Sequence, residues 1–373
     1  MVVVAAVAGC ANDSRPSNGD AASDARVVST DAGSDGSPPG ASAKADAAPD
    51  PVAIAARGKM LYGRYCYFCH GPEGHGYTAD EAPALANDDL LALASDDFLR
   101  DAIVKGRPGT TMSSWAVARG GPLGYADASA IVGYLRTWQK RPSEPTDTRT
   151  VNGNAARGAA TYAAHCATCH GAKGTGAKYN ALSNPELLAS ATDGFLATTI
   201  ERGRAGTPMA AFKGKLSTEA VDDVVALLRS WQKPPEETPE LPPKPGGLTA
   251  VVVNPRGPQP TFEPKADFIP ADVVKRELDR KATMIIVDAR PPSDYARMHI
   301  AGAISVPFYQ VEAYAKQIPK DRYVLTYCAC PHAESVKVRD AMRAIGYTQA
   351  AVIDEGMLVW RDRGYAVRGG SKP

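Results

Sequence analysis

Ala56-Arg57-Gly58 and Ala156-Arg157-Gly158 stand at the same distance ahead of two five-residue runs, Cys66-Tyr67-Phe68-Cys69-His70 and Cys166-Ala167-Thr168-Cys169-His170. The likeness then continues. Leu90-Leu91-Ala92 and Phe98-Leu99 return as Leu187-Leu188-Ala189 and Phe195-Leu196. Gly106-Arg107 returns as Gly203-Arg204, each followed by a short loop and a methionine, Met112 or Met209. Leu135-Arg136-Thr137-Trp138-Gln139-Lys140 returns as Leu228-Arg229-Ser230-Trp231-Gln232-Lys233. One unit of about 90 residues has been duplicated.

Both copies read as helical. Val221, Val224, Val225 and Leu228 follow a period of 3.6 behind Ser217, a candidate N-cap, with Glu219, Asp222 and Asp223 toward the start. Ile131, Tyr134, Leu135 and Trp138 repeat the pattern in the first copy.

Cys-x-x-Cys-His carries a chemical requirement at fixed spacing. Thiols at i and i+3 fall on one side of a helical turn, where they can form thioethers with the two vinyl groups of haem. The next residue, His70 or His170, then lies beneath the iron as the proximal ligand. A zinc ribbon would need its two cysteine pairs about 15–20 residues apart, and these are separated by a whole duplicated unit. A thioredoxin-like redox pair does not belong in a helical repeat. The sixth ligand follows by elimination: Met60 lies in the attachment helix and His75 is too near His70, which leaves Met112. In the second copy Met209 is the only methionine, and His165 directly precedes Cys166.

With these features each copy resembles a class I cytochrome c domain, over residues 53–142 and 153–234. The resemblance implies His/Met ligation by His70 with Met112 and His170 with Met209, and a raised reduction potential. Two such haems leave no open iron position, so the expected function is electron transfer.

At the N-terminus, Met1 to Gly9 is apolar but too short to span a bilayer. Val7-Ala8-Gly9-Cys10 resembles a bacterial lipobox, which implies cleavage before Cys10 and lipid attachment to its sulfur. The first basic residue is Arg15, so the charged start of the signal is expected upstream. Residues 11–50 hold alanine, serine, aspartate, glycine and proline, with Val27 and Val28 as the only large aliphatics, and read as a disordered tether. Lysine and arginine total 42 against 41 for aspartate and glutamate, so no basic excess exists to drive nucleic-acid binding.

Residues 235–264 are rich in proline and glycine and read as a second linker. Beyond them the period changes. Met284-Ile285-Ile286-Val287, Tyr323-Val324-Leu325-Thr326-Tyr327 and Ala350-Ala351-Val352-Ile353 are strand-length apolar runs. A helical stretch from Ser335 to Ile345 lies between the last two, which predicts an α/β domain with a mainly parallel sheet. Val287-Asp288-Ala289-Arg290, Asp294-Tyr295, His299-Ile300-Ala301-Gly302-Ala303-Ile304, Tyr327-Cys328 and Gly356-Met357-Leu358-Val359-Trp360 together resemble a rhodanese domain over residues 266–370. That family carries sulfane sulfur as a persulfide on a loop cysteine.

Cys328 fits that role better than Cys330, because it follows a buried-looking strand and its loop leads into a helix whose N–H groups would stabilise a thiolate. Cys330 could resolve a Cys328 persulfide or oxidise with it. His332 is either a proton donor or a solvated loop histidine, and His299 reads as structural. A phosphatase-like C-x5-R would need arginine where Glu334 stands.

The sequence therefore predicts a multidomain chain. A lipoprotein signal (1–10) and a tether (11–50) precede two all-α cytochrome c domains (51–142 and 150–234), a linker (235–264) and an α/β rhodanese-like domain (265–371). The expected cofactors are two covalently bound haem c groups. The expected partners are another cytochrome or a membrane oxidase, and a small sulfur compound. The chain is expected to face the periplasm, held to a membrane by lipid alone. The alternatives are a sulfurtransferase or sulfur-oxidising enzyme whose haems accept the electrons, and an inactive rhodanese domain that docks a partner.

Overall fold

The computed structural model describes residues 50–373 apart from 80, 81, 177, 264, 330 and 331; Cys10, Cys330 and the tether to residue 49 therefore lie outside the described residues. Among the described residues no helix is long and apolar enough to cross a membrane.

The first helical unit runs through α1 (Pro51–Tyr65), α2 (Tyr67–His70), α3 (Asp88–Leu93), α4 (Asp96–Lys105) and α5 (Tyr125–Arg136). The second repeats it as α6 (Ala155–His165), α7 (Ala167–His170), α8 (Pro185–Ser190), α9 (Asp193–Arg202) and α10 (Thr218–Ser230). In α10 Ser217 Oγ accepts from Ala220 N, and Val221, Val224, Val225 and Leu228 are buried, as the spacing predicts.

The repeated motifs have matching mechanical roles. Gly58 and Gly158 sit where the first helix of each unit crosses the last. A Cβ there would come within 1.9 Å of Ala130 O or 2.1 Å of Asp223 O. The neighbouring arginines pair with the facing helix, Arg57 with Asp127 and Arg157 with Asp223. Arg136 donates to the carbonyls of Leu91 and Ala94 and to Asp96; Arg229 donates likewise to Leu188, Ala191 and Asp193. Each thereby satisfies carbonyls that the end of a short helix leaves without intrahelical partners. Trp138 and Trp231 press edge-on against Tyr62 and Tyr162, with ring centroids 5.2 and 5.0 Å apart.

The two units pack on each other reciprocally. Asn87 Oδ1 caps α3 while its Nδ2 donates to Ala205 O of the second unit at 2.9 Å. Asn184 Oδ1 caps α8 while its Nδ2 donates to Pro108 O of the first at 3.0 Å. Phe98 and Phe195 meet between them, centroids 4.7 Å apart.

The C-terminal unit runs β1 (Phe268–Ile269), α11 (Ala271–Asp279), β2 (Ile285–Asp288), α12 (Pro292–Arg297), β3 (His299–Ile300) and β4 (Ile304–Ser305). It continues through α13 (Val311–Ala315), β5 (Val324–Tyr327), α14 (Ser335–Ala344), β6 (Ala350–Ile353), α15 (Gly356–Asp362) and β7 (Val367–Arg368). Five strands form one parallel sheet in the order β1-β6-β5-β2-β4, and β3 pairs antiparallel with β7. The strands β2, β5 and β6 are buried along their whole length between two apolar layers, as a covered parallel sheet requires.

The expected open linker needs correction in its second half. Val253 exchanges backbone hydrogen bonds with Met284, Leu248, Val251 and Val252 pack on the sheet's apolar layer, and Phe262 is buried. Proline removes donors but leaves side chains free to pack, so a proline-rich composition did not make this stretch a spacer.

Candidate functional site

Tyr62 and Tyr162, near the ends of α1 and α6, donate to Gly71 O and Gly171 O just past each Cys-x-x-Cys-His. The C-terminal end of each short helix, α2 and α7, is thus tied back onto the helix before it. His70 Nδ1 lies 2.9 Å from Pro83 O, and His170 Nδ1 lies 2.9 Å from Asn180 O. A carbonyl only accepts, so Nδ1 carries the proton in both rings and Nε2 presents its lone pair. Burial holds both imidazoles below their ordinary pKa, hence neutral. A histidine fixed by a backbone carbonyl on one nitrogen and open on the other is arranged as a metal ligand.

The cysteines of the two motifs form no disulfide. Burial pushes the Cys66 thiol up to about 12 and the Cys166 thiol up to about 11. Among the described residues no three His, Cys, Asp or Glu side chains cluster as a bare metal site.

Met112 and Met209 lie half-buried at the ends of twin loops. Arg107 N donates to Met112 O and Arg204 N to Met209 O; Thr110 Oγ1 and Thr207 Oγ1 accept from the methionine N–H groups. The Arg107 and Arg204 guanidinium groups stand 5.6 and 5.7 Å from the Phe98 and Phe195 ring centroids. Desolvation pulls both down to about 10, and neither makes an ion pair among the described residues. Two such cations, each in the loop that leads to a candidate methionine, suit a bound group that brings its own carboxylates. Sequence reasoning quoted both arginines only as markers of the repeat.

In the C-terminal unit Cys328 leaves β5 fully buried, and its Sγ lies 3.5 Å from Ser335 Oγ at the start of α14. Glu334 stands near it, and Asp294, Asp288 and Arg290 bear in turn on Glu334; all four are buried. Burial first, then the nearby Cys328 and Asp294, hold Glu334 well above the usual carboxyl range. Arg290 is committed to Asp288 through both Nε and Nη2, and also donates to Met298 O. His332 turns away to Asp354, 2.9 Å from its Oδ1 and half-exposed, so the structure does not bring it to the thiol. His299 is buried, stacked on Tyr295 with centroids 3.9 Å apart, in a structural setting.

Lys337 was not foreseen. From the first turn of α14 its Nζ sits 3.6 Å from the centroid of Phe68, inside the first Cys-x-x-Cys-His, and 5.3 Å from that of Phe308. Phe308 packs in turn on Tyr65, Phe68 and Trp115, and Tyr309 donates to Gly120 O at 2.7 Å. The helix that follows the Cys328 loop therefore meets the first motif. No periodic signal marks such contacts; an aromatic pair after a short strand was the one clue.

A model of the cbb3-type cytochrome c oxidase subunit III family matches residues 53–135 and again 153–228. A rhodanese-like domain model matches residues 270–363. The cbb3-type cytochrome c oxidase subunit FixP of Bradyrhizobium sp. (strain ORS 278) is 28% identical over 199 residues, 48% of this chain and 63% of that protein. FixP of Azorhizobium caulinodans is 32% identical over 179 residues, 44% of this chain and 56% of that one. The chain thus spans less than two thirds of the length of these relatives. A sulfurtransferase of Allochromatium vinosum is 25% identical over 99 residues, 26% of this chain and 92% of that protein.

Proposed function

We propose, for a chain that carries two cytochrome c domains followed by a rhodanese-like domain, that it is a dihaem electron carrier with a sulfur-carrying module. Electrons pass from a donor toward a membrane oxidase or another cytochrome, and Cys328 carries sulfane sulfur. The observation behind the reading is the matched setting of His70 and His170, each with Nδ1 on a backbone carbonyl and Nε2 open.

The residues divide the work. Cys66 with Cys69, and Cys166 with Cys169, would hold one haem each by thioethers. His70 with Met112, and His170 with Met209, would ligate the iron, and Arg107 and Arg204 would neutralise the haem carboxylates. Bound in this way, haem would supply an iron that changes by one electron.

A second reading, in which sulfur chemistry at Cys328 feeds electrons into the cytochrome half, is favoured by one contact. Lys337, on the helix that follows the Cys328 loop, and Phe308 both rest against Phe68 of the first attachment motif.

The visible spectrum of the oxidised holoprotein tests both. Two haems per chain, retained after denaturation, and sharp reduced bands with dithionite are the expected result; a haem that separates from the denatured chain sinks the covalent reading. Reduced bands appearing with a sulfur compound alone would support the second reading, and their absence would leave an electron carrier whose sulfur module works separately.

The location belongs to the proposal too: the periplasmic face of a bacterial membrane, with lipid on Cys10. Its support is the lipobox-like Val7-Ala8-Gly9-Cys10. Cys10→Ser should move the protein from the membrane pellet to the soluble fraction; pelleting as before would rule out that anchor.

A further inference from the structure

We propose that the chain meets its electron partner through the second cytochrome unit, at a lysine-studded face beside Cys166–His170, and that this partner is a redox protein with an acidic surface. The proposal rests on the reading of the chain as an electron carrier.

The two copies supply the first argument, because they differ in charge where they agree in fold. Glu73, three residues past His70, is matched by Lys173, three past His170. Thr78 is matched in the same way by Lys178. Trp115 N donates to Ile103 O and Phe212 N to Ile200 O, so the residues that follow, Ala116 and Lys213, also correspond. Residues 165–184 and 203–217 carry Lys173, Lys178, Lys213 and Lys215 and no aspartate or glutamate. Residues 65–87 of the first copy carry acids and no lysine.

Placement is the second. All four lysines are exposed. Lys178 N donates to Cys169 O at 3.3 Å, and Lys173 lies on the turn that Gly174 N closes onto Gly171 O. Lys213 and Lys215 come from the segment after Met209. Lys215 Nζ stands 5.9 Å from the Phe212 centroid, and that ring lies 6.0 Å from His165, the residue before Cys166. The lysines thus reach the attachment motif from two separate segments of the chain. The carboxylates at the start of α10, Glu219, Asp222 and Asp223, are taken by Arg157 and Arg149. A face with one sign of charge draws in its opposite and speeds encounter. Lysine, a compact and strongly hydrated cation, suits a partner that must also leave.

The third argument is what occupies the same face in the first copy. Trp115 is buried, its centroid 6.1 Å from that of Phe308; Tyr309 donates to Gly120 O, and Pro292 abuts Gly120. Lys337 stands over Phe68. The chain's own C-terminal unit therefore sits where a partner would approach. In the second copy the counterpart Phe212 is half-buried and Lys213 is open to solvent, so this copy keeps the face that the first has given up.

The test is stopped-flow oxidation of the reduced holoprotein by plastocyanin, an acidic copper protein. Each event moves one electron from the holoprotein to Cu(II) and leaves Cu(I). At low salt the combined variant Lys173→Glu, Lys213→Glu and Lys215→Glu should react roughly tenfold slower than the parent. Lys244→Glu, Lys316→Glu and Lys372→Glu, at three exposed lysines elsewhere, make the same change in net charge and should slow the reaction far less. The parent's own rate should fall as salt rises. Its net charge is only +1, so such a fall reports a local field and keeps the proposal testable even if a variant fails to fold. A parent rate unmoved by salt, or equal losses in the two variants, would overturn the proposal and leave the electron carrier standing. A holoprotein without reduced haem bands would overturn both. If the first variant keeps its rate and loses only its adhesion to vesicles of anionic lipid, the face meets a membrane and the proposal falls.

Discussion

Gly58→Ala is expected to lower the melting temperature of the holoprotein sharply, while Gly63→Ala on the same helix raises it slightly. The two glycines differ in what a methyl group would meet. At Gly58 it would come within 1.9 Å of Ala130 O, a backbone atom that can yield only if α1 and α5 move apart. At Gly63 nothing lies within 4 Å, and alanine simply restrains the unfolded chain. Overpacking of this kind costs about 1–3 kcal/mol, and a rigid backbone obstacle puts Gly58 at the upper end. Gly158→Ala should behave like Gly58→Ala, because Asp223 O waits at 2.1 Å. Thermal melts of the three variants, followed by far-ultraviolet circular dichroism, decide it. If Gly58→Ala and Gly63→Ala melt alike, the helices do not cross as closely as described.

The second large effect is expected at Arg290. Its guanidinium and the Asp288 carboxylate are both buried and joined by two hydrogen bonds, one from Nε at 2.9 Å and one from Nη2 at 2.6 Å. Arg290→Met would leave the carboxylate enclosed without its cation, a loss of about 3–5 kcal/mol. Adding Asp288→Asn should restore a good part of it, since the stranded charge is then gone. Amide hydrogen exchange in β2 and β5 is the suitable readout, because it reports on this sheet and not on the helical units. Unchanged protection of those strands in Arg290→Met would mean the pair carries little of the domain's stability.

Much of this was legible in the chain itself, for identifiable reasons. The proposed thioether chemistry would fix the spacing of Cys66, Cys69 and His70, and duplication prints the motif twice, so both haem candidates stand out. Ala350–Ile353 and Val324–Tyr327 could be read because strands covered on both faces become uninterrupted apolar runs. Cys328 could be placed because a residue that directly follows such a strand lies at the strand's C-terminal end.

What could not be read depends on residues far apart in sequence with no period to join them. Asn87 and Asn184 look like ordinary helix caps; nothing local shows that each also holds the other unit. Lys337 looks like a surface lysine on a helix until Phe68 is found beneath it. The stretch from Leu248 to Phe262 looks like a spacer because composition records its prolines and not the surface that receives Val251 and Val252. Glu334 could be read only as the lack of an arginine; its burial among other acids was invisible.

The twin asparagines have a consequence for how the protein matures. Each uses its oxygen to start a helix at home and its nitrogen to grip the neighbour's loop, and the gripped loops are the ones that lead to Met112 and Met209. A unit whose loop has not yet settled therefore offers its twin nothing to hold. Assembly in this arrangement works as an inspection, each half certifying the other before the pair locks, and a chain in which only one of the two loops had settled would be left with its halves ajar, open to proteases.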